Sequence, residues 1–414
     1  MRVLIVHNRY RSLGGEDAVV DREAAALEDA GHLVERFERS NDEIDTWGAL
    51  RKAALAGRVL WSGETRRALT EILRARRPDV VHLHNTFPLL SPSVLYACRH
   101  QQVAAVVTFH NFRLLCPGGN LFRDGVPCRD CLGGPPLPAV CHGCYHGSSL
   151  ATVPVAAHAV AHRRAWRTFG SAYVFPSHSE HRVYRDAGWP EHRSFVKANL
   201  VPAPEPTDPE PRDTVAYIGR LSPEKGVTLL MEAWERLTGS DSGSLRLVIA
   251  GGGPLEGRVR SWAANRSSVD VLGMLDRRGC AGVLARARAL VAPSLCEETF
   301  GMVVVEAMAA GVPPVAAAHG PFPEIVTDGV DGTLFEAGSP AALARALRDV
   351  AGDPRRYERM GRQALQTYRE RFNPARNLER LLSIYRFAVE HPVYDHGGSG
   401  DRGARLVESA DNYA

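Results

Sequence analysis

Residues 294–313 read SLCEETFGMVVVEAMAAGVP and carry two carboxylates, Glu298 and Glu306, with seven residues between them. A β-branched run ends near Pro293 and an apolar run starts near Phe300, which predicts a strand, a turn and a helix. The first turn of a helix leaves backbone N–H groups unpaired at the positive end of its dipole. Those of Phe300, Gly301 and Met302 therefore suit phosphate oxygens. Glu298, just ahead of that turn, reaches hydroxyls beyond the phosphates. Glu306 lies about two turns in, where a ribose would sit. A carboxylate among Val and Ala needs a partner when buried, so Glu306 alone also reads as a structural hydrogen-bonding group. Two glutamates flanking a phosphate-competent helix start favour a polyol ligand.

A second stretch, Tyr217 to Gly226, reads YIGRLSPEKG between a strand pattern and a helix pattern. Gly219 permits a tight exit, and Arg220 and Lys225 put two cations at the rim, a site for an anion such as a diphosphate. Exposed loop charges are the plainer reading of the same residues. In the first half, polar groups follow strand patterns at Gly14, Gly15 and Glu16, at His84 and Asn85, and at His110 and Asn111. Ligands of open parallel sheets bind beyond the carboxyl ends of the strands, which places these groups on a shared cleft. An isolated histidine is more often a packed structural residue, and a lone Gly-Gly is a weak signal.

Five cysteines crowd into one loop, with Cys128 and Cys131, then Cys141 and Cys144, at the spacing of zinc knuckles, after Cys116. That pattern favours a structural metal, zinc or an iron–sulfur cluster, over free thiols. Nucleic-acid binding is disfavoured, because Asp124 and Asp130 offset Arg123 and Arg129 and no aromatic residues interleave with basic ones.

The elements that must position these groups follow from the pattern of the chain. Val3–Val6, residues 79–83, 104–109 and 173–176 read as strands, and residues 18–30 as a helix stopped by Gly31. Residues 196–201 close the first half. Strands resume at Thr214–Ile218, 245–250, 269–272 and 289–292, and a charged helical pattern runs from Pro340 to about His391. Strands alternating with helices predict an α/β architecture of two Rossmann-like domains facing a central cleft. The boundaries are 1–201 for the first domain, including the Cys-rich loop 116–149. A Pro-rich linker at 202–213 and a second domain at 214–375 follow, then a C-terminal helix at 376–391 and a tail at 392–414 expected to be disordered.

Composition narrows the class. The chain has 414 residues, 50 Lys+Arg against 47 Asp+Glu, and 44% hydrophobic residues, which excludes a disordered or fibrous protein. Residues 1–199 hold 25 basic and 19 acidic side chains and the remainder 25 and 28, a basic half followed by an acidic one. Only three of the basic residues are lysine: Lys52, Lys197 and Lys225. No apolar stretch of about 18 residues and no secretory leader are legible, so the expected location is cytoplasmic, with contact at the inner face of the membrane open. The Arg-rich region 66–77 is a candidate for anionic lipid, but it lacks a Trp/Phe face.

Taken together, these motifs resemble family four of the retaining glycosyltransferases, which have the GT-B fold. The resemblance rests on Glu298 and Glu306, on Gly219, Arg220, Glu224, Lys225 and Gly226, on the turn Gly251–Pro254, and on Gly311–Pro313 followed by Glu324 and Asp328-Gly329. It runs to about residue 390. It implies transfer of a hexosyl group from a UDP- or GDP-linked donor to a glycan or lipid-linked acceptor, as in cell-envelope polysaccharide synthesis, with no cofactor required for catalysis. Arg220 and Lys225 would neutralise the donor diphosphate, Glu306 would bind the ribose, and Glu298 the sugar hydroxyls. His110 would contact the donor sugar, and Gly15 would approach the diphosphate. Gly14, Glu16, His84, Asn85 and Asn111 would face the acceptor. The family's His-Asp pair reads His110-Asn111 here, which removes a carboxylate. In one branch of the family a similar loop has cysteines matching Cys116, Cys128, Cys131 and Cys144, with Cys141 the alternative ligand.

Three other classes share some of these features. A GT-B epimerase or phosphorylase would use the same phosphate site with a different acceptor. A sugar-binding or metal-loop interaction protein would be expected to lack the cations or glutamates. A nicotinamide oxidoreductase is disfavoured by Pro254 in the phosphate turn and by the absence of the third fingerprint glycine.

Overall fold

The computed structural model describes residues 1–11, 14–204, 212–237 and 245–394. Uninterrupted Val, Ile, Leu and Ala runs bury both strand faces, as they must in a parallel sheet sandwiched by helices. The first half begins with β1 (Arg2–Arg9), α1 (Gly15–Asp29), β2 (Leu33–Ser40), α2 (Ala49–Ala53), α3 (Leu55–Leu60), α4 (Gly63–Arg76), β3 (Val80–Leu83), α5 (Ser93–His100) and β4 (Ala104–Thr108). It continues with a small ribbon, β5 (Phe122–Arg123) and β6 (Val126–Pro127). After that come α6 (Leu137–Cys141), α7 (Ser149–Ala161), α8 (Arg163–Thr168), β7 (Ala172–Phe175), α9 (His178–Asp186) and β8 (Ser194–Val196). The main sheet is parallel, in the order β2-β1-β3-β4-β7-β8.

The second half runs β9 (Thr214–Ile218), α10 (Val227–Glu235), β10 (Arg246–Ala250), α11 (Glu256–Ala263), β11 (Val269–Gly273), α12 (Arg277–Arg286) and β12 (Ala287–Ala292). It ends with α13 (Met302–Ala309), β13 (Pro314–Ala317), α14 (Phe322–Ile325), β14 (Thr333–Phe335), α15 (Pro340–Gly352), α16 (Pro354–Arg371) and α17 (Pro374–Glu390). Its sheet is also parallel, in the order β11-β10-β9-β12-β13-β14. The two-domain α/β architecture expected from the sequence is the one observed.

Two departures have clear causes. β2 reads LVERFERS and lies at a sheet edge, half-exposed, so it lacks the apolar run that reveals the central strands. β13 and β14 are four and three residues long, below the length at which composition stands out. The C-terminal helix does not stay with the second domain. Leu381, Ile384, Tyr385 and Ala388 of α17 pack on Val3, Ile5, Val80, Val106 and Val174, so α17 covers one face of the first sheet. Most of the linker expected at 202–213, namely 205–211, and most of the tail, 395–414, lie outside the described residues.

The second domain builds its cleft rim on close backbone approach. Gly226 has φ 71°, and a Cβ there would stand 1.9 Å from the Pro293 carbonyl oxygen. Only glycine lets the loop after β9 rest against the end of β12, which brings Lys225 beside Glu298.

Candidate functional site

On the second-domain side, Lys225 Nζ lies 2.7 and 2.8 Å from the two oxygens of Glu298. Ser294 Oγ donates to the same carboxylate at 2.5 Å. Burial opposes the charge on Glu298, but Lys225 and the hydroxyl outweigh it and hold the carboxyl below its ordinary range. Burial likewise opposes the charge on Lys225, yet Glu298 raises its pKa. The pair is therefore ionised and mutually neutralised. Of the two cations expected at the rim, Arg220 is exposed and, among the described residues, has no ion-pair partner, while Lys225 is paired with Glu298. Beside them, His319 Nε2 hydrogen-bonds the Ser294 carbonyl at 2.7 Å.

The helix expected after Glu298 begins at Met302. Gly301 caps it at φ 87°, where a Cβ would stand 2.5 Å from the Phe322 ring, and Phe300 is buried. Glu306 lies on α13, and its carboxylate accepts from Arg22 of α1 at 3.0 Å. A Cβ on Gly15 would sit 3.9 Å from Met302 Cγ, so the N-terminal ends of α1 and α13 meet across the cleft. Both present unpaired backbone donors and the positive ends of helix dipoles to one space, an arrangement suited to an anion carrying more than one phosphate.

The first-domain wall is anchored by a chain of buried polar groups. Asp17 accepts from the backbone N–H of Gly14 at 3.2 Å and is hydrogen-bonded to His7 Nε2 at 2.7 Å, which fixes the start of α1. His110 Nε2 and His84 Nδ1 share a hydrogen bond of 2.9 Å. Burial, then neighbouring cationic groups, push both histidines well below their ordinary pKa. Both rings are neutral, one donating and the other accepting. His84 Nε2 stands 3.8 Å from Glu23 Oε2, whose other oxygen takes Lys197 Nζ at 2.6 Å. Asn85 is committed at both ends of its amide, donating to the Asn8 carbonyl at 2.7 Å and accepting from the Phe87 N–H at 3.0 Å. Asn111 accepts from the N–H of Arg113 at 3.0 Å.

His84, Asn85, His110 and Asn111 line a cavity of about 40 Å³ with Glu16, Thr86, Arg113, His158 and Tyr184. Burial raises the pKa of Glu16, with His7 and Arg113 opposing. Arg113 lies over the Phe87 ring, its guanidinium carbon 4.6 Å from the centroid, and its Nε has no partner. The domains are clasped around the cleft by Thr299 Oγ1 to the His110 carbonyl at 3.3 Å and Ser177 Oγ to the Thr299 carbonyl at 2.7 Å. Glu297 takes Arg129 at 3.1 Å, and Glu324 takes Arg182 at 3.1 Å.

The Cys-rich loop brings four thiols into mutual electrostatic reach, since Cys131 feels Cys116, Cys144 and Cys128. Burial comes first and pushes the Cys131 thiol up to about 11. Cys144 is raised in the same way. Cys141 is exposed. Among the described residues, the one group of three ligand atoms within 4.8 Å of one another is Glu23, His82 and His84, so no three of the loop sulfurs are gathered this closely. The four thiols are the right donor set for zinc, and burial opposes ionising Cys131 and Cys144 without a cation.

Sequence reasoning did not single out Arg22, Arg113, Ser294, His319 or Glu23. Apart from Ser294, which acts on Glu298 four residues on, each acts through a partner remote in the chain, Arg22 through Glu306 most clearly, and no local motif marks such a pairing.

Comparison with known proteins places this geometry. Residues 13–124 match the family described as Glycosyltransferase Family 4, and residues 203–367 match Glycosyl transferases group 1. A D-inositol 3-phosphate glycosyltransferase of Corynebacterium glutamicum (strain R) is 35% identical over 188 residues, 44% of this chain and 45% of the relative. A phosphatidyl-myo-inositol mannosyltransferase of Mycobacterium leprae (strain TN) is 36% identical over 162 residues, 37% of this chain and 42% of the relative. The matched segment thus spans less than half the length of either relative. The fold matches Anabaena HepE in complex with UDP at a TM-score of 0.65 and 17% identity, over 92% of this chain and 99% of that one. It also matches sucrose-phosphate synthase from Thermosynechococcus elongatus at 0.66 and 19% identity, over 93% and 98%. With both halves of the chain matched by family models on a shared two-domain fold, the chain belongs to the family 4 glycosyltransferases of GT-B fold.

Proposed function

We propose that this chain is a retaining hexosyltransferase that moves a sugar from a UDP- or GDP-linked donor to a glycan or lipid-linked acceptor in cell-envelope glycoconjugate synthesis. The observation that carries this reading is the meeting of the α1 and α13 N-termini at Gly15 and Met302, with the exposed Arg220 on the loop after β9. The donor diphosphate lies between the helix ends, where their dipoles and Arg220 stabilise the charge that develops as it leaves. Lys225 contributes as part of an ion pair and holds Glu298 ionised to accept from the sugar hydroxyls. Glu306 takes the ribose in exchange for Arg22. His110, neutral, serves the sugar as a hydrogen-bond partner and adds no charge. Attack from the face of departure lets the leaving phosphate accept the acceptor's proton and retains the anomeric configuration.

Structural neighbours named as complexes with UDP and UDP-glucose, and relatives named for phosphatidylinositol mannosylation, support a nucleotide-sugar donor and a lipid-linked acceptor. The reading puts the enzyme in the cytoplasm at the inner face of the membrane. Cys116, Cys128, Cys131 and Cys144 would hold a structural zinc ion that closes the loop over the first-domain cavity. A turnover assay over a panel of nucleotide sugars, with glycan and lipid-linked acceptors supplied, tests the activity. Glu298→Gln should lower kcat about 10²–10³-fold, the loss typical of one transition-state contact. Equal turnover by the variant removes Glu298 from the mechanism. No turnover of any nucleotide sugar by the wild type removes the assignment. Release of free sugar or sugar phosphate as the only product would favour the epimerase or phosphorylase class.

A further inference from the structure

Half of the exposed large hydrophobic side chains among the described residues sit on one group of helices in the first domain: Leu50, Trp61, Leu137, Leu150, Val153 and Val160. Leu50 is 90% exposed, Leu150 85% and Leu137 66%, so each projects as a free side chain. The helices that carry them are neighbours. α2 packs on α3, α3 on α7 and α6 on α7, over a small buried cluster of Val59, Phe87 and Val155.

Within the two segments that build this face the charge is of one sign, and Glu43 and Glu64 border it beside Arg51. No Asp or Glu occurs between Asp45 and Glu64, nor between Asp130 and Glu180, the two segments that build it. The same segments carry Arg51, Lys52, Arg58, Arg163, Arg164 and Arg167. Arg51 stacks on the buried Trp47, its guanidinium carbon 4.2 Å from the ring centroid, while Lys52 and Arg164 are exposed. Arg58 is neutralised by Glu64 at 2.9 Å and Arg51 lies near Glu43 and Glu64, so the cations without an acidic partner among the described residues are Lys52, Arg163, Arg164 and Arg167. α7 itself has no charged residue over its thirteen positions. Single leucines projecting from helices that also carry the exposed cations Lys52 and Arg164 or adjoin them suit a layer of phosphate headgroups over hydrocarbon. A protein partner would be expected to meet a flatter surface with charges of both signs.

The geometry points to this face as a docking surface for an anionic lipid bilayer, with Leu50, Leu137 and Leu150 inserted among the headgroups and Lys52 and Arg164 on the phosphates. It replaces the Arg66–Arg77 region considered from the sequence. That region forms most of α4, whose buried face is used up in the core by Thr65, Leu69 and Leu73. The inference extends the lipid-linked acceptor reading, because α7 turns Leu150 and Val153 outward and His158 inward to the first-domain cavity. An acceptor anchored in the bilayer would then meet the cavity from the membrane side.

Co-sedimentation of the full chain with vesicles of phosphatidylglycerol and phosphatidylcholine, against phosphatidylcholine alone, tests it without any donor or acceptor. The wild type should bind the anionic vesicles and release as salt rises. Leu150→Glu should weaken binding about tenfold or more, and Arg164→Glu about fivefold or more, from the loss of about one headgroup contact. Thermal melting and UDP binding, both unchanged, would show that the variants are folded. Equal binding to both vesicle types, no binding to anionic vesicles, or an unaffected Leu150→Glu variant would overturn the proposal. A wild-type dimer that Leu150→Glu makes monomeric would also overturn it, by assigning the face to a second copy. Normal sedimentation with no sugar transfer would sink the transferase reading and leave this surface standing.

Discussion

At the scale of single residues, the chain accepts buried polar groups only where a partner is arranged for them. Lys197, one of three lysines, is buried and held by Glu23 at 2.6 Å and by Asn377 and the Ala198 carbonyl at 3.0 Å each. His158 of α7 donates from Nδ1 to the Val59 carbonyl at 3.0 Å, with His162 and Arg113 as its charged neighbours. Burial lowers its pKa to about 4, against an ordinary 6.5. Between those values the unfolded chain takes a proton that the folded protein refuses. Stability from this group is therefore complete above pH 6.5 and is lost as pH falls toward 4, at about 1.4 kcal/mol per unit. His158→Gln keeps a donor but does not titrate. Urea unfolding at pH 6.5 and 4.5 should show the wild type losing roughly 2–3 kcal/mol more than the variant. An equal loss in both would mean that His158 is not the group held neutral.

At the scale of elements, the Cys-rich loop is the least self-sufficient segment. Its regular structure is limited to the two-residue strands β5 and β6 and the five-residue α6, too little to order it through its own hydrogen bonds. A metal bound by Cys116, Cys128, Cys131 and Cys144 would supply that order. Protein purified without oxygen should carry about one zinc per chain, and less than about 0.2 would refute the site. Cys131→Ser should lose the metal and lower the melting temperature, whereas Cys141→Ser, at the exposed position, should do neither. The sequence pattern identified the doublets, but exposure is what separates Cys141 from the other four.

At the scale of the whole molecule, the two domains meet through polar contacts, which suits a cleft that must open and close. Arg22–Glu306, Arg129–Glu297 and Arg182–Glu324 all cross it. Partly exposed pairs are each worth up to about 1 kcal/mol and are screened by salt. The ligand-free protein should therefore expand in small-angle scattering when salt is raised, and Glu324→Ala should expand it at low salt. Addition of a nucleoside diphosphate should restore the compact form. A radius insensitive to both salt and the substitution would show that these pairs do not hold the domains together.

The sequence alone determined what depends on local pattern. Central strands such as Val80–Leu83 and Thr214–Ile218 are legible because burial on both faces demands unbroken apolar runs. The spacing of Glu298 and Glu306 is legible because one helix start lies between them. The edge strand Leu33–Ser40 escaped, since a half-exposed strand needs no apolar run. Only the tertiary structure could decide which charges remain free. Arg220 and Lys225 look equivalent as a motif, yet Lys225 is consumed by Glu298 and Arg220 is not, because Gly226 lets two distant loops touch. Tertiary structure also decided that α17 returns to the first sheet and that Arg22 meets Glu306. Such contacts join residues hundreds of positions apart, and their energy comes from packing and desolvation, which local spacing does not encode.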